Sequence, residues 1–157
     1  MKIYLDTNIL FGYFKRILES KYKLKPFEIP EKINIIKNAK ELYISDFVLA
    51  ELIIEIKNWC NANNVNIGEK EIENLIEEFK ETYNVRVIKN FKIKHFLELI
   101  YLGVDLKDSI HLEISRNKNM VFLTDDKELY EISKHLYGKV LNFYEFKRIM
   151  KCGPTQN

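Results

Sequence analysis

Four acidic residues separated by long stretches of chain, Asp6, Glu51, Asp108 and Asp126, share one kind of local setting. Each stands where an apolar, strand-like run gives way to a helix, or near a helix start. Asp6 ends MKIYLD, Glu51 ends LYISDFVLAE, Asp108 opens DSIHLEIS and Asp126 ends MVFLTDD. In an open parallel α/β sheet such positions converge on the carboxyl edge of the strands, where ligands bind. Converging carboxylates repel one another unless protons or hard cations neutralise them, so the pattern points to a divalent-metal site. Oxygen ligands without paired His or Cys favour Mg²⁺ or Mn²⁺ over zinc. Ions of this kind serve phosphodiester chemistry by binding a phosphate oxygen, acidifying a water and stabilising the leaving oxygen. They also reverse the field of an acidic cluster that would otherwise repel a nucleic-acid backbone.

The elements that must position these acids follow from periodicity. KIYL is a short β-rich run ended by Asp6-Thr7-Asn8, all good helix-capping types, and ILFGYFKRIL reads as a helix. Residues 19–32, with two of the three prolines and four lysines, read as a loop before a helix over INIIKNAKEL and a strand at LYIS. From Asp46 to Ala62, Val48, Leu49, Leu52, Ile53, Ile56 and Trp59 recur at helical spacing, with Glu51 beside that face. Further helices are predicted over KEIENLIEEFKETY, KHFLELIYLG, DLKDSIHLEISRN, DKELYEISKHL and YEFKRIMK, and further strands at NVRVI, MVFLT and KVLNF. Strands alternating with helices imply an α/β fold with a mostly parallel sheet of about five strands.

The 157 residues suit one domain, expected over 1–150, with a flexible tail at 151–157. A formal net charge of +2 is too small to imply nucleic-acid binding by itself. Cys60 and Cys152 have no CxxC companion, which argues against a zinc knot or disulfide framework and for a reducing cytoplasm. No apolar run approaches the length of a membrane span, and no cleavable leader is indicated.

Taken in order, the four acidic segments resemble the motifs of PIN-domain nucleases. MKIYLDTNIL is similar to their opening motif and ISDFVLAEL to their second. KDSIHLEIS resembles the family's D-A-x-x-A-A helix, and FLTDDKEL its T-x-D-[KR]-x-[FL] motif, which selects Asp126 rather than Asp125. The likeness spans residues 3 to about 130. It implies a three-layer α/β/α metal-dependent ribonuclease in which Asp6, Glu51, Asp108 and Asp126 are the catalytic, metal-holding acids. Thr7, Asn8 and Thr124 would orient them. Many small members are VapC-type toxins held by an antitoxin, and a homodimer also follows from the resemblance. Ser109 and Ile110 depart from the family's small apolar pair, and His111 and Glu113 stand where apolar or small residues are usual.

Simpler roles compete with these assignments. Asp6-Thr7-Asn8 and Thr124-Asp125-Asp126 are capping sequences, and Asp105 and Asp108 suit a cap and a first helical turn. Glu55 lies one turn beyond Glu51. His95, His111 and His135 have no ligand spacing and read as surface or core-edge residues, although His111 lies about one turn after Asp108. Lys15, Arg16, Lys21, Lys23 and Lys25, interleaved with aromatics, are candidate RNA contacts or plain solvated surface. Phe11, Phe14, Phe47, Trp59 and Phe146 read as core. A catalytically weak RNA-binding or partner-binding module of the same fold is the rival to an enzyme. A phosphohydrolase is disfavoured, because DTN lacks the second aspartate of DxDxT and no GxxxxGK[ST] loop occurs.

Overall fold

The β-rich runs pair side by side in one five-stranded sheet of the computed structural model, which describes residues 1–23, 25–89 and 104–152. Its strands are β1 (Lys2–Leu5), β2 (Glu41–Ser45), β3 (Val85–Ile88), β4 (Val121–Leu123) and β5 (Val140–Leu141). All run parallel, in the order β3-β2-β1-β4-β5. Ile3 faces Leu42 on one side and Val121 on the other, so β1 is the central strand. Ile3, Tyr4 and Leu5 are fully buried, as expected of a strand covered on both faces.

Seven helices flank this sheet among the described residues: α1 (Thr7–Lys23), α2 (Glu31–Ile36), α3 (Asp46–Ala62), α4 (Glu69–Thr82), α5 (Leu106–Asn117), α6 (Lys127–Leu136) and α7 (Phe143–Cys152). Together they make the expected three-layer α/β/α arrangement. The right-handed crossover rule assigns α1–α4 to one face and α5 and α6 to the other. The chain winds outward from β1 to β3, then returns to β4 on the other side of β1. That reversal opens a crevice at the carboxyl ends of β1 and β4.

Local chemistry explains most element ends. Ser45 Oγ accepts from Val48 N at 3.2 Å to start α3, Asp105 accepts from Lys107 N at 2.9 Å to start α5, and Asp126 accepts from Leu129 N at 3.0 Å to start α6. Asn64, Asn84 and Asn119, just past α3, α4 and α5, take φ of 55°, 50° and 53°. This left-handed turn lets Val65 N reach Cys60 O and Met120 N reach Ser115 O, both at 2.9 Å, closing off orphan carbonyls.

Two boundaries depart furthest from the sequence reading. α1 continues to Lys23, into the segment expected to be loop. Its last turn is docked on α4, with Tyr22 Oη donating to Glu71 at 2.5 Å and Lys21 Nζ at 2.6 Å from the same carboxylate. Tertiary contact rather than intrinsic propensity carries those residues. α2 stops at Ile36, because Glu41 is already in register with Lys2 as part of β2. The helix expected over KHFLELIYLG, His95 and the GPTQN tail lie outside the described residues.

The core has an aromatic centre. Phe79 on α4 packs against Tyr13 and Phe14 on α1, with ring centroids 5.1 and 5.3 Å apart. Such pairs contribute about 0.5–1.5 kcal/mol each beyond area burial, fastening α4 to α1. Phe14 and Phe146 are fully buried, while Phe11 and Trp59 are partly so.

Candidate metal centre

Asp6 sits one residue beyond β1, at the crevice where the strand order reverses. Its backbone amide still joins the sheet through Leu123 O at 3.1 Å. The side chain is 5% exposed and held from several directions. Oδ1 accepts from Thr7 N at 2.6 Å, and Oδ2 accepts from Thr124 Oγ1 at 2.6 Å and Asn8 Nδ2 at 2.9 Å. Asn8 also accepts from Asp125 N at 3.1 Å, so one amide side chain straps the end of β1 to the end of β4. The three residues expected to orient the acids therefore all touch them.

Glu51 approaches from the second turn of α3 and is 8% exposed. Thr7 Oγ1 donates to its Oε2 at 2.5 Å, and His111 Nε2 lies 3.1 Å from the same oxygen. The other oxygen, Oε1, is buried and makes no aligned hydrogen bond, with Lys107 Nζ 2.7 Å away. Glu55, one turn on, is exposed at the rim of the cavity.

Asp6, Thr7, Asn8, Lys107, Asp108, His111 and Asp126 line one cavity of about 270 Å³. Asp108 is half-buried in the first turn of α5, whose cap is Asp105, so the capping role and the place at the cavity coexist on neighbouring residues. Burial, then the nearby Asp105 and Asp126 carboxylates, raise the Asp108 pKa above the ordinary aspartate range. Asp126 likewise caps α6 and faces the cavity. Asp125 turns elsewhere: it accepts from Phe143 N at 3.1 Å at the start of α7 and pairs with Lys32.

His111 was read from sequence as a surface or core-edge residue, and the structure corrects this. It is fully buried, with Nδ1 2.9 Å from Tyr4 Oη and Nε2 3.9 Å from Asp6 Oδ1 as well as close to Glu51. Burial lowers its pKa, outweighing the opposing pull of Asp6, and so favours the neutral ring. Its spacing after Asp108 was the available signal. Its partners Tyr4 and Glu51, 107 and 60 residues away, gave none.

The five basic candidates divide. Lys15, Arg16 and Lys25 line a cleft of about 720 Å³ with Lys32 and Phe143, and this cleft shares Asn8 with the acidic cavity. Lys21 pairs with Glu71 and Lys23 donates to Asn63, so both lie against α4 and the end of α3 instead.

The chain matches the model of the PIN domain over residues 3–135. The fold is similar to that in the crystal structure of PAE2754 from Pyrobaculum aerophilum, with a TM-score of 0.60 and 15% sequence identity over 98% of this chain and 91% of that one. No curated protein matches the sequence. With the family model running from β1 to the last turn of α6, across both sides of the crevice, the chain belongs to the PIN domain family.

Proposed function

We propose that this protein is a divalent-metal-dependent endoribonuclease, with Asp6 and Glu51 as inner ligands and Asp108 and Asp126 completing the acidic set. PIN domains are generally nucleases that use divalent metals. The observation that carries the proposal is the convergence of Asp6, Asp108 and Asp126 on one cavity whose lining holds a single lysine, Lys107, paired with Glu51. Neither Asp6 nor Asp108 has a Lys or Arg ion pair among the described residues, yet both line the same cavity as Asp126. Like charges so placed are costly until a cation enters. The donor set fits one once Lys107 swings aside: Glu51 Oε1 makes no aligned hydrogen bond and faces the Lys107 ammonium at 2.7 Å, and the remaining donors are mostly carboxylate oxygens suited to Mg²⁺ or Mn²⁺.

When bound, such an ion supplies Lewis-acid polarisation of a phosphodiester and makes a water more acidic. The protein's own part is orientation. Thr7 and Thr124 hold Glu51 Oε2 and Asp6 Oδ2, and Asn8 keeps the two strand ends at a fixed spacing. Lys15 offers a phosphate contact in a cleft that shares Asn8 with the cavity, and Arg16 and Lys25, both paired with Glu19, and Lys32, paired with Asp125, would exchange those carboxylates for phosphates, with Phe143 as a surface for base stacking. Among the described residues no helix is long and apolar enough to cross a membrane.

Structured RNA should be cleaved with Mn²⁺ or Mg²⁺, and cleavage should stop with EDTA or Asp6→Asn. Activity indifferent to both would sink the proposal. One observation favours a second reading, an inactive binding module: Lys107 already lies against Glu51 as a built-in cation. That reading expects RNA binding with no metal-dependent thermal stabilisation. If the enzyme is the toxin of a toxin–antitoxin pair, induced expression should arrest growth. Either Asp6→Asn or a coexpressed antitoxin should relieve the arrest.

A further inference from the structure

Resting on the reading of Asp6 and Glu51 as metal ligands, we propose that His111 is a nitrogen ligand of the same ion. It gives the site a preference for Mn²⁺, Co²⁺ or Zn²⁺ over Mg²⁺. The donor atoms of Asp6, Glu51 and His111 all lie within 4.8 Å of one another. Ligand atoms that each sit about 2.0–2.2 Å from one ion are roughly 3–4 Å apart, by simple coordination geometry. His111 Nε2, at 3.1 Å from Glu51 Oε2 and 3.9 Å from Asp6 Oδ1, falls within that span.

The ring is also held as a ligand needs to be held. Nδ1 lies 2.9 Å from Tyr4 Oη, which lies 2.8 Å from Ser45 Oγ. Ser45 in turn accepts from Val48 N, so this chain is anchored on the first turn of α3. Phe122 stacks on the imidazole with centroids 6.0 Å apart, and Phe47 meets it edge-on at 5.3 Å, restricting rotation.

Two hydroxyl rotors give this chain two polarities without moving a heavy atom. In one, Ser45 donates to Tyr4, Tyr4 donates to Nδ1, and Nε2–H donates to Glu51. In the other, Nδ1–H donates to Tyr4 and Tyr4 donates to Ser45, which leaves the Nε2 lone pair facing Asp6 and Glu51. The second is the outer-shell pattern that fixes the tautomer of a metal-binding histidine. A buried histidine serving only the core needs partners for its nitrogens; it has no need to aim one of them between two carboxylates. Imidazole suits the later first-row ions, whereas Mg²⁺ favours oxygen and keeps its waters.

The chain has three histidines, so His95→Gln/His135→Gln leaves His111 as the sole imidazole. This double variant, stripped with EDTA and given one equivalent of Mn²⁺, should show a directly coordinated histidine nitrogen by pulsed electron paramagnetic resonance. Adding His111→Gln should remove that coupling, since the glutamine amide can still donate to Glu51 but offers no imidazole nitrogen. Calorimetric titration should show the preference for Mn²⁺ over Mg²⁺ falling by roughly ten-fold or more, the scale seen even for outer-shell partners. Tightly bound Mn²⁺ without nitrogen coupling in the double variant overturns the assignment of His111 and leaves the carboxylate site standing. A folded protein that binds no Mn²⁺ overturns the metal site itself, and His111 with it. The double variant alone decides the matter if the triple variant does not fold.

Discussion

Removing a single oxygen atom, by Tyr4→Phe, tests the buried chain that links β1, α3 and α5. Tyr4 and His111 are fully buried and Ser45 is 2% exposed, so no water stands ready to replace the lost hydroxyl. Phenylalanine fills nearly the same space, so a cavity cost is avoided. Ser45 keeps its bond from Val48 N, but His111 Nδ1 loses its partner at 2.9 Å. An unsatisfied buried group costs about 1–3 kcal/mol, so about 2 kcal/mol of stability should be lost. For a chain of this size that lowers the melting temperature by roughly 4–8 °C. It should also lower the urea midpoint by about 1 M, given an m-value near 2 kcal/mol/M. Melts and urea titrations are run in EDTA, so that ion binding does not contribute. Tyr43→Phe is the control, because its hydroxyl bonds Glu41 at a half-exposed position and should cost less than about 1 kcal/mol. A Tyr4→Phe protein within about 0.5 kcal/mol of wild type would refute the buried chain.

Three other perturbations separate the parts of the site. Thr124→Val removes the donor to Asp6 Oδ2 and the acceptor for Asp126 N, and titration calorimetry should find Mn²⁺ binding weakened about 10–100-fold. Asp108 has a raised pKa, so its contribution to apo stability is full below the ordinary value of 3.8 and is lost as pH rises through the raised folded value. Asp108→Asn should therefore make the EDTA-treated protein more stable near neutral pH and remove that part of its pH dependence; an unchanged stability–pH curve would contradict the linkage. Lys15→Glu/Arg16→Glu should weaken RNA binding and lower the salt slope by about 1.4, at about 0.7 per single-strand phosphate contact. Lys21→Glu/Lys23→Glu should leave that slope unchanged, and an equal effect would move the RNA path toward α4.

The legible parts of the sequence were those with local causes. The predicted helix from Asp46 to Ala62 matches α3 end to end, because a serine cap, an apolar stripe and a following asparagine turn all lie within that segment. β1 was equally plain, its apolar run stopping where Asp6-Thr7-Asn8 begins. The last turn of α1 was not, since Lys21 and Tyr22 are ordered by Glu71, about 50 residues away. The division of the basic residues has the same origin. Lys15, Arg16, Lys21 and Lys23 share one helix, and the docking of α1 on α3 and α4 decides which of them face the cleft.

The sequence alone determined which residues could converge: an acid at the carboxyl end of each inner strand or just inside the next helix, with hydroxyl and amide side chains beside them. Those are short-range facts, set by periodicity and capping chemistry. Tertiary structure decided what touches what. It turned Asp125 toward Lys32 and Phe143 while Asp126 kept its place at the cavity, a difference of one residue at a strand end. It also brought His111 between Tyr4, Glu51 and Asp6, three residues with no spacing relation to it. The physical reason is the strand order: placing β4 beside β1 opens the crevice that α5 helps to line, and no local pattern encodes that juxtaposition.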